Sequence, residues 1–165
     1  MYDGSAGIGI FFIRLYEATG DTRWLTEAEE AAAHIIATKV GVEWYQTTLH
    51  SEVKGIIPVP GWAAGPYNGP VGEAYFLEDL YQVTGKQEYR DYVLYVADVL
   101  LEAAVTDERG LHWSDQEDIT ADGGFIVFLD ILYRKTGIKK YLDTACAAAD
   151  RIAQDALPAP NGGKF

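Results

Sequence analysis

Leu15-Tyr16-Glu17-Ala18-Thr19-Gly20 returns as Leu80-Tyr81-Gln82-Val83-Thr84-Gly85 and again as Leu132-Tyr133-Arg134-Lys135-Thr136-Gly137. Leu, Tyr, Thr and Gly hold the same places in all three copies, at shifts of 65 and then 52 residues. Under those shifts Gly7, Gly72 and Gly124 coincide upstream, as do Phe11, Phe76 and Phe128. Downstream, Trp24 matches Tyr89 and Tyr141, and a Gly-x-x-aromatic pattern recurs at Gly41–Trp44, Gly110–Trp113 and Gly162–Phe165. Self-similarity on this scale marks a structural repeat.

Each copy reads as a helical hairpin. The stretch from Ala6 to Thr19 is apolar around most of its circumference, with Ile8, Ile10, Phe11, Phe12, Ile13 and Leu15, and should be buried on most sides. Gly20 supplies a left-handed residue to end it, and Asp21 caps the next helix. That next helix carries Leu25, Ala28, Ala32, Ile35 and Ile36 on one face and Glu27, Glu29 and Glu30 on the other. The contrast repeats around 73–83 and 88–104, and around 125–135 and 139–156. Buried helices paired with amphipathic ones predict two layers, inner and outer. The fold class is therefore all-α: an α/α-toroid (α/α-barrel) segment of three hairpins, with repeats at about 2–44, 66–113 and 120–165 in one domain over 1–165. The pattern starts directly on an inner helix, which points to a part of a larger ring and to self-association through apolar flanks.

Composition excludes some partners. The 165 residues hold 25 acidic and 13 basic side chains, a net charge of −12, which repels nucleic-acid backbones and anionic membranes. No run of ~18 apolar residues is present to span a bilayer. The first residues carry no basic leader, and the single cysteine, Cys146, cannot close an intrachain disulfide, so a cytoplasmic location is expected. Cys146 lies in an Ala-rich helical run and reads as a small buried packing residue.

Candidate ligand-binding residues fall in three places. Asp3, Asn68 and Thr120 align at the starts of the inner helices, where they serve as N-caps or face a ligand. The long connection 44–68 carries Trp62 and Tyr67 among several prolines, and either binds a sugar or peptide or plugs the barrel mouth. His112 and Trp113 precede Ser114-Asp115-Gln116-Glu117-Asp118; Asp115 and Glu117 could do general acid/base work on a glycoside, or form a solvated turn. Gly4-x-x-Gly7-x-Gly9 follows no strand and is no nucleotide loop; its glycines read as close helix contacts.

Tyr2-Asp3-Gly4-Ser5-Ala6-Gly7-Ile8-Gly9, with Leu15-Tyr16-x-x-Thr19-Gly20-Asp21, resembles the inner-helix motif of lanthionine-synthetase-C-like (LanC-like) proteins. Gly61-Trp62-Ala63-Ala64-Gly65 and Asn68-Gly69-x-x-Gly72 are similar to its next copy. The resemblance implies an α/α-barrel that modifies peptides by thioether cyclisation, with zinc held by two cysteines and a histidine. Asn68 stands where that family has its histidine, and no His or Cys pair has ligand spacing, so no zinc site is placed on this chain; a zinc would need ligands outside it. The alternatives are a carbohydrate-active α/α-barrel enzyme (glycoside hydrolase, lyase or epimerase) and a non-catalytic helical scaffold.

Overall fold

The computed structural model describes residues 4–39, 69–114 and 121–156. They form three helical hairpins: α1 (Ser5–Thr19) with α2 (Thr22–Thr38), α3 (Pro70–Thr84) with α4 (Gln87–Ala103), and α5 (Asp122–Thr136) with α6 (Lys139–Asp155). A short antiparallel β-hairpin, β1 (Val105–Asp107) and β2 (Gly110–His112), follows α4. The helical hairpins are those the sequence predicts; the two strands are not foreseen by it.

The recurring Leu-Tyr-x-x-Thr-Gly is the turn between the two helices. Gly20, Gly85 and Gly137 adopt φ of 68°, 69° and 72°, and each N–H bonds the carbonyl of the repeat's Tyr at 2.7–2.8 Å. Each Thr hydroxyl donates back to the carbonyl of its Leu, at 2.7, 2.8 and 2.7 Å. It also accepts the N–H of the residue after the glycine, at 3.2, 3.3 and 3.2 Å. One threonine thus stitches the end of an inner helix to the start of its outer helix. Asp21 then caps α2 by accepting the Arg23 N–H; Lys86 and Ile138, in the same place, make no side-chain cap.

Inner helices touch in sequence, α1 on α3 and α3 on α5, while each outer helix covers its own partner. The middle inner helix is the most enclosed: Val71, Ala74, Phe76, Leu77 and Leu80 are all fully buried. Gly9 makes the first step possible, because a Cβ there would overlap the Phe76 ring. The outer layer is joined by ion pairs from one helix to the one before, Lys86 to Glu29 and Lys140 to Asp98, both at 2.5 Å. Burial pushes the Tyr89 and Tyr141 hydroxyls up to about 12, helped by Glu29 and Asp98 respectively. Between the layers Glu78, 5% exposed, accepts from Arg90 at 2.7 Å and meets Lys135 at 3.0 Å, tying α3, α4 and α5 together.

Three expectations need correction. The inner helix α1 is not buried on most sides: Ile8 and Phe11 are 54% and 58% exposed. Being apolar all round states only that a helix needs cover; the described residues provide it on two sides. The inner helices are capped by Gly4, Gly69 and Ala121, one residue later than expected, so Asp3, Asn68 and Thr120 precede the cap positions and lie outside the described residues. Cys146 is exposed. The buried stripe of α6 runs through Tyr141, Ala145, Ala148 and Arg151, and Cys146 sits about 100° around the helix from Ala145. No described helix is long and apolar enough to cross a membrane.

Candidate functional site

The two ends of the hairpin array differ. At one end the helices are joined by the tight Thr-Gly turns. At the other, residues 39–69 and 104–121 run from the end of an outer helix to the start of the next inner one. Longer connections carry function more often than tight turns. The positive ends of the inner-helix dipoles emerge at the same end.

At this end the structure describes residues 105–114 and, at the start of α5, 121 and 122. Asp107 accepts the N–H groups of Arg109 (2.8 Å) and Gly110 (3.1 Å), which bends the β-hairpin. Those bonds, with the charges of Arg151 and His112, hold its carboxyl below the ordinary 3.8. Gly110 has φ of 132°, and a Cβ there would lie 3.3 Å from the Cβ of Arg151, so the strand lies directly on α6. Arg151 is 1% exposed beneath it. Its guanidinium bonds the Ser114 carbonyl at 3.5 Å and lies 3.7 Å from Asp107. His112 places Nε2 3.5 Å from Asp107 and Nδ1 3.4 Å from the Ser114 carbonyl.

Trp113 is the anchor of the segment. It is 7% exposed, its ring meets Phe125 edge-on at 5.0 Å, and its indole N–H donates to the Leu100 carbonyl in the last turn of α4 at 2.7 Å. That bond satisfies one of the carbonyls a helix C-terminus leaves unpaired. Asp122, the first residue of α5, closes the loop. It is 2% exposed and accepts the Trp113 N–H at 3.0 Å and the Ser114 hydroxyl at 2.8 Å. Burial pushes its carboxyl above 3.8, against the opposing pull of those two bonds. One carboxylate therefore ties Trp113 and Ser114 to the start of α5; the sequence between them, 115–120, holds Asp115, Glu117 and Asp118. In the first turn of α3 a second buried carboxylate, Glu73, accepts the Tyr92 hydroxyl at 3.1 Å.

Of the sequence candidates, the structure brings His112 and Trp113 together at this end. Trp113 is no platform for stacking a ligand, since its ring and N–H are both spent inside the core. Asp3, Trp62, Tyr67, Asn68, Asp115 and Glu117 lie outside the described residues. Asp122, Ser114, Glu73 and Arg151 were not singled out by sequence reasoning. Arg151 was detectable, as a charge three residues beyond Ala148 on the apolar stripe of α6. Asp122 was not: its repeat equivalents are Ser5 and Pro70. Among the described residues no group of three His, Cys, Asp or Glu could hold a metal ion.

Comparison with known proteins bears on the fold. No protein-family model and no curated protein sequence matches the chain. Among solved structures it is similar to a family 76 glycoside hydrolase (mannosidase) from Bacteroides thetaiotaomicron VPI-5482, with TM-score 0.50 and 18% identity over 97% of this chain and 47% of that one. It is also similar to a family 76 glycoside hydrolase from a bovine Bacteroides thetaiotaomicron strain, with TM-score 0.49, 15% identity and coverage of 97% and 37%. The chain thus spans less than half the length of either. The fold is an α/α-toroid segment.

The LanC-like resemblance is overturned, since the matching structures are glycoside hydrolases. The reason is physical. Gly4 and Gly69 take φ of 85° and 80° at helix starts, Gly9 receives Phe76, and Thr19-Gly20 closes a turn. Those are demands of packed α/α-hairpins in general, so the motif reports architecture rather than a peptide cyclase.

Proposed function

We propose that the chain is a carbohydrate-active arc of an α/α-toroid that acts on glycosidic bonds, with mannosides as the first substrate class to test. The observation carrying this reading is the alignment of 97% of the chain with a mannosidase of the same fold. The acidic connection supports it. Glycoside hydrolysis needs two carboxyl groups, one to protonate the leaving oxygen and one to act as base or nucleophile. Asp115 and Glu117 are the proposed pair. Asp122 is a positioning residue for them, holding Trp113 and Ser114 in place.

The test is release of reducing ends from α- and β-linked mannosides by the purified chain. Turnover should fall at least about a hundredfold, the scale of lost acid or base catalysis, in both Asp115→Asn and Glu117→Gln. Neither turnover nor binding across a mannoside panel would sink the proposal.

A further inference from the structure

The imidazole of His112 sits between two groups that can only accept. Its Nδ1 lies 3.4 Å from the Ser114 carbonyl, and its Nε2 lies 3.5 Å from the Asp107 carboxylate. A neutral imidazole carries one N–H and one bare lone pair. In either tautomer, one nitrogen then turns a lone pair on an oxygen. Only the imidazolium, protonated on both nitrogens, serves both neighbours. The deficit falls on Nε2, which is buried and makes no hydrogen bond.

The one cation beside it does not repair this. Arg151 is 1% exposed and holds Nη2 3.7 Å from the same Asp107 oxygen. Its Nη2 and Nε are themselves without hydrogen bonds, so it donates neither to Asp107 nor to the lone pair on Nε2. Among the described residues, the charges acting at this point are Asp107 from β1, Asp122 from α5 and Arg151 from α6. Two carboxylates against one guanidinium favour a second cation there. The β-hairpin also needs a tie. Its strands have three residues each, β1 is exposed throughout, and a lone two-stranded hairpin is marginal in water. Asp107 spends Oδ1 on the Arg109 and Gly110 N–H groups, which leaves Oδ2 facing His112 and Arg151.

We propose that His112 is a pH-operated latch on this hairpin. Protonated on both nitrogens, it fastens Asp107 to the corner at Ser114. Neutral, it turns a lone pair on the carboxylate and loosens the hairpin. Histidine changes charge between about pH 5 and 8, so the fastened state belongs to the acid end of that range and is lost as pH rises. What the latch orders is Ser114, whose carbonyl Arg151 also holds and from which the acidic sequence 115–118 continues. The latch does not depend on the carbohydrate reading.

Nitrogen NMR of the 165-residue chain, with amide exchange followed at about pH 5.5 and about pH 8, tests it. At the higher pH His112 should carry its proton on Nδ1, the tautomer that keeps the Ser114 contact; at the lower pH it should carry both. The Arg109 and Gly110 amides, bonded to Asp107, should exchange at least about tenfold more slowly at the lower pH, once the intrinsic pH dependence is removed. The Gly85 amide, in the turn between α3 and α4, should show no such change. Asp107→Asn still accepts from Arg109 and Gly110 and offers an N–H to Nε2, so its pH response should vanish. His112→Gln does not titrate and should show none. A neutral His112 protonated on Nε2 overturns the latch. So does equal corrected exchange at both pH values, and so does a pH response that survives either substitution.

Discussion

Replacing Gly9 by alanine separates two opposed effects of known sign. In an ordinary helix interior the change stabilises by about 0.5–1 kcal/mol, because glycine loses more backbone freedom on folding. Here the new methyl would overlap the ring of Phe76, and even Cε1 of that ring would be only 2.8 Å away. Carbon pairs settle at about 3.5–4.0 Å, and Cζ and Cε2 lie closer still, so the ring must retreat by roughly 1.3 Å or more. Phe76 is fully buried, so the ring can retreat only by moving against its neighbours in the core. Overpacking of this kind costs about 1–3 kcal/mol. The net result is a loss of up to about 2.5 kcal/mol, or a melting temperature lower by up to several degrees. In a Phe76→Leu background the obstacle shrinks, and Gly9→Ala should turn neutral or stabilising. Urea unfolding of the four proteins, followed by circular dichroism, gives the coupling directly. A wild-type background in which Gly9→Ala raises stability would refute the close approach of α1 and α3.

Thr84→Val removes the hydroxyl that donates to the Leu80 carbonyl and accepts the Lys86 N–H, and should cost about 1–2 kcal/mol in urea unfolding. Asp122 gives a pH signature. Its folded-state pKa is raised, so the stability it contributes is fully present below 3.8 and lost as pH rises through the raised value. Relative to the non-titrating Asp122→Asn, the wild type should lose stability as pH climbs from about 4; a widening advantage would contradict that direction. Cys146 should react with one equivalent of a thiol reagent in the native protein, whereas protection until unfolding would place it in the core.

The hairpin framework was legible because it rests on local rules. A Thr-Gly turn needs a left-handed residue, and Gly20, Gly85 and Gly137 are the cheapest solution three times over. Amphipathic periodicity likewise marked α2, α4 and α6. The cap positions were misplaced by one residue because Asp and Asn are familiar caps, while Gly4 and Gly69 start their helices at positive φ. The β-hairpin was missed since its strands are three residues long and its turn depends on Asp107 meeting N–H groups nearby. Trp113 was a candidate ligand-binding residue because an aromatic beside acids has no sequence mark of burial. Its contact with Leu100 and Phe125 exists only once α4 and α5 have packed. The same limit explains the mistaken family resemblance: glycines that read correctly as close helix contacts serve packed α/α-hairpins in general and do not single out one family.

The central claim is that carbohydrate engages the end where the inner helices begin. Backbone amide NMR during titration with mannose oligosaccharides tests it directly. The account predicts that perturbations concentrate at residues 69–73, 110–114 and 121–124, leaving the turns at Gly20, Gly85 and Gly137 unmoved. Perturbations centred on those turns, or no perturbation at saturating sugar, would contradict it.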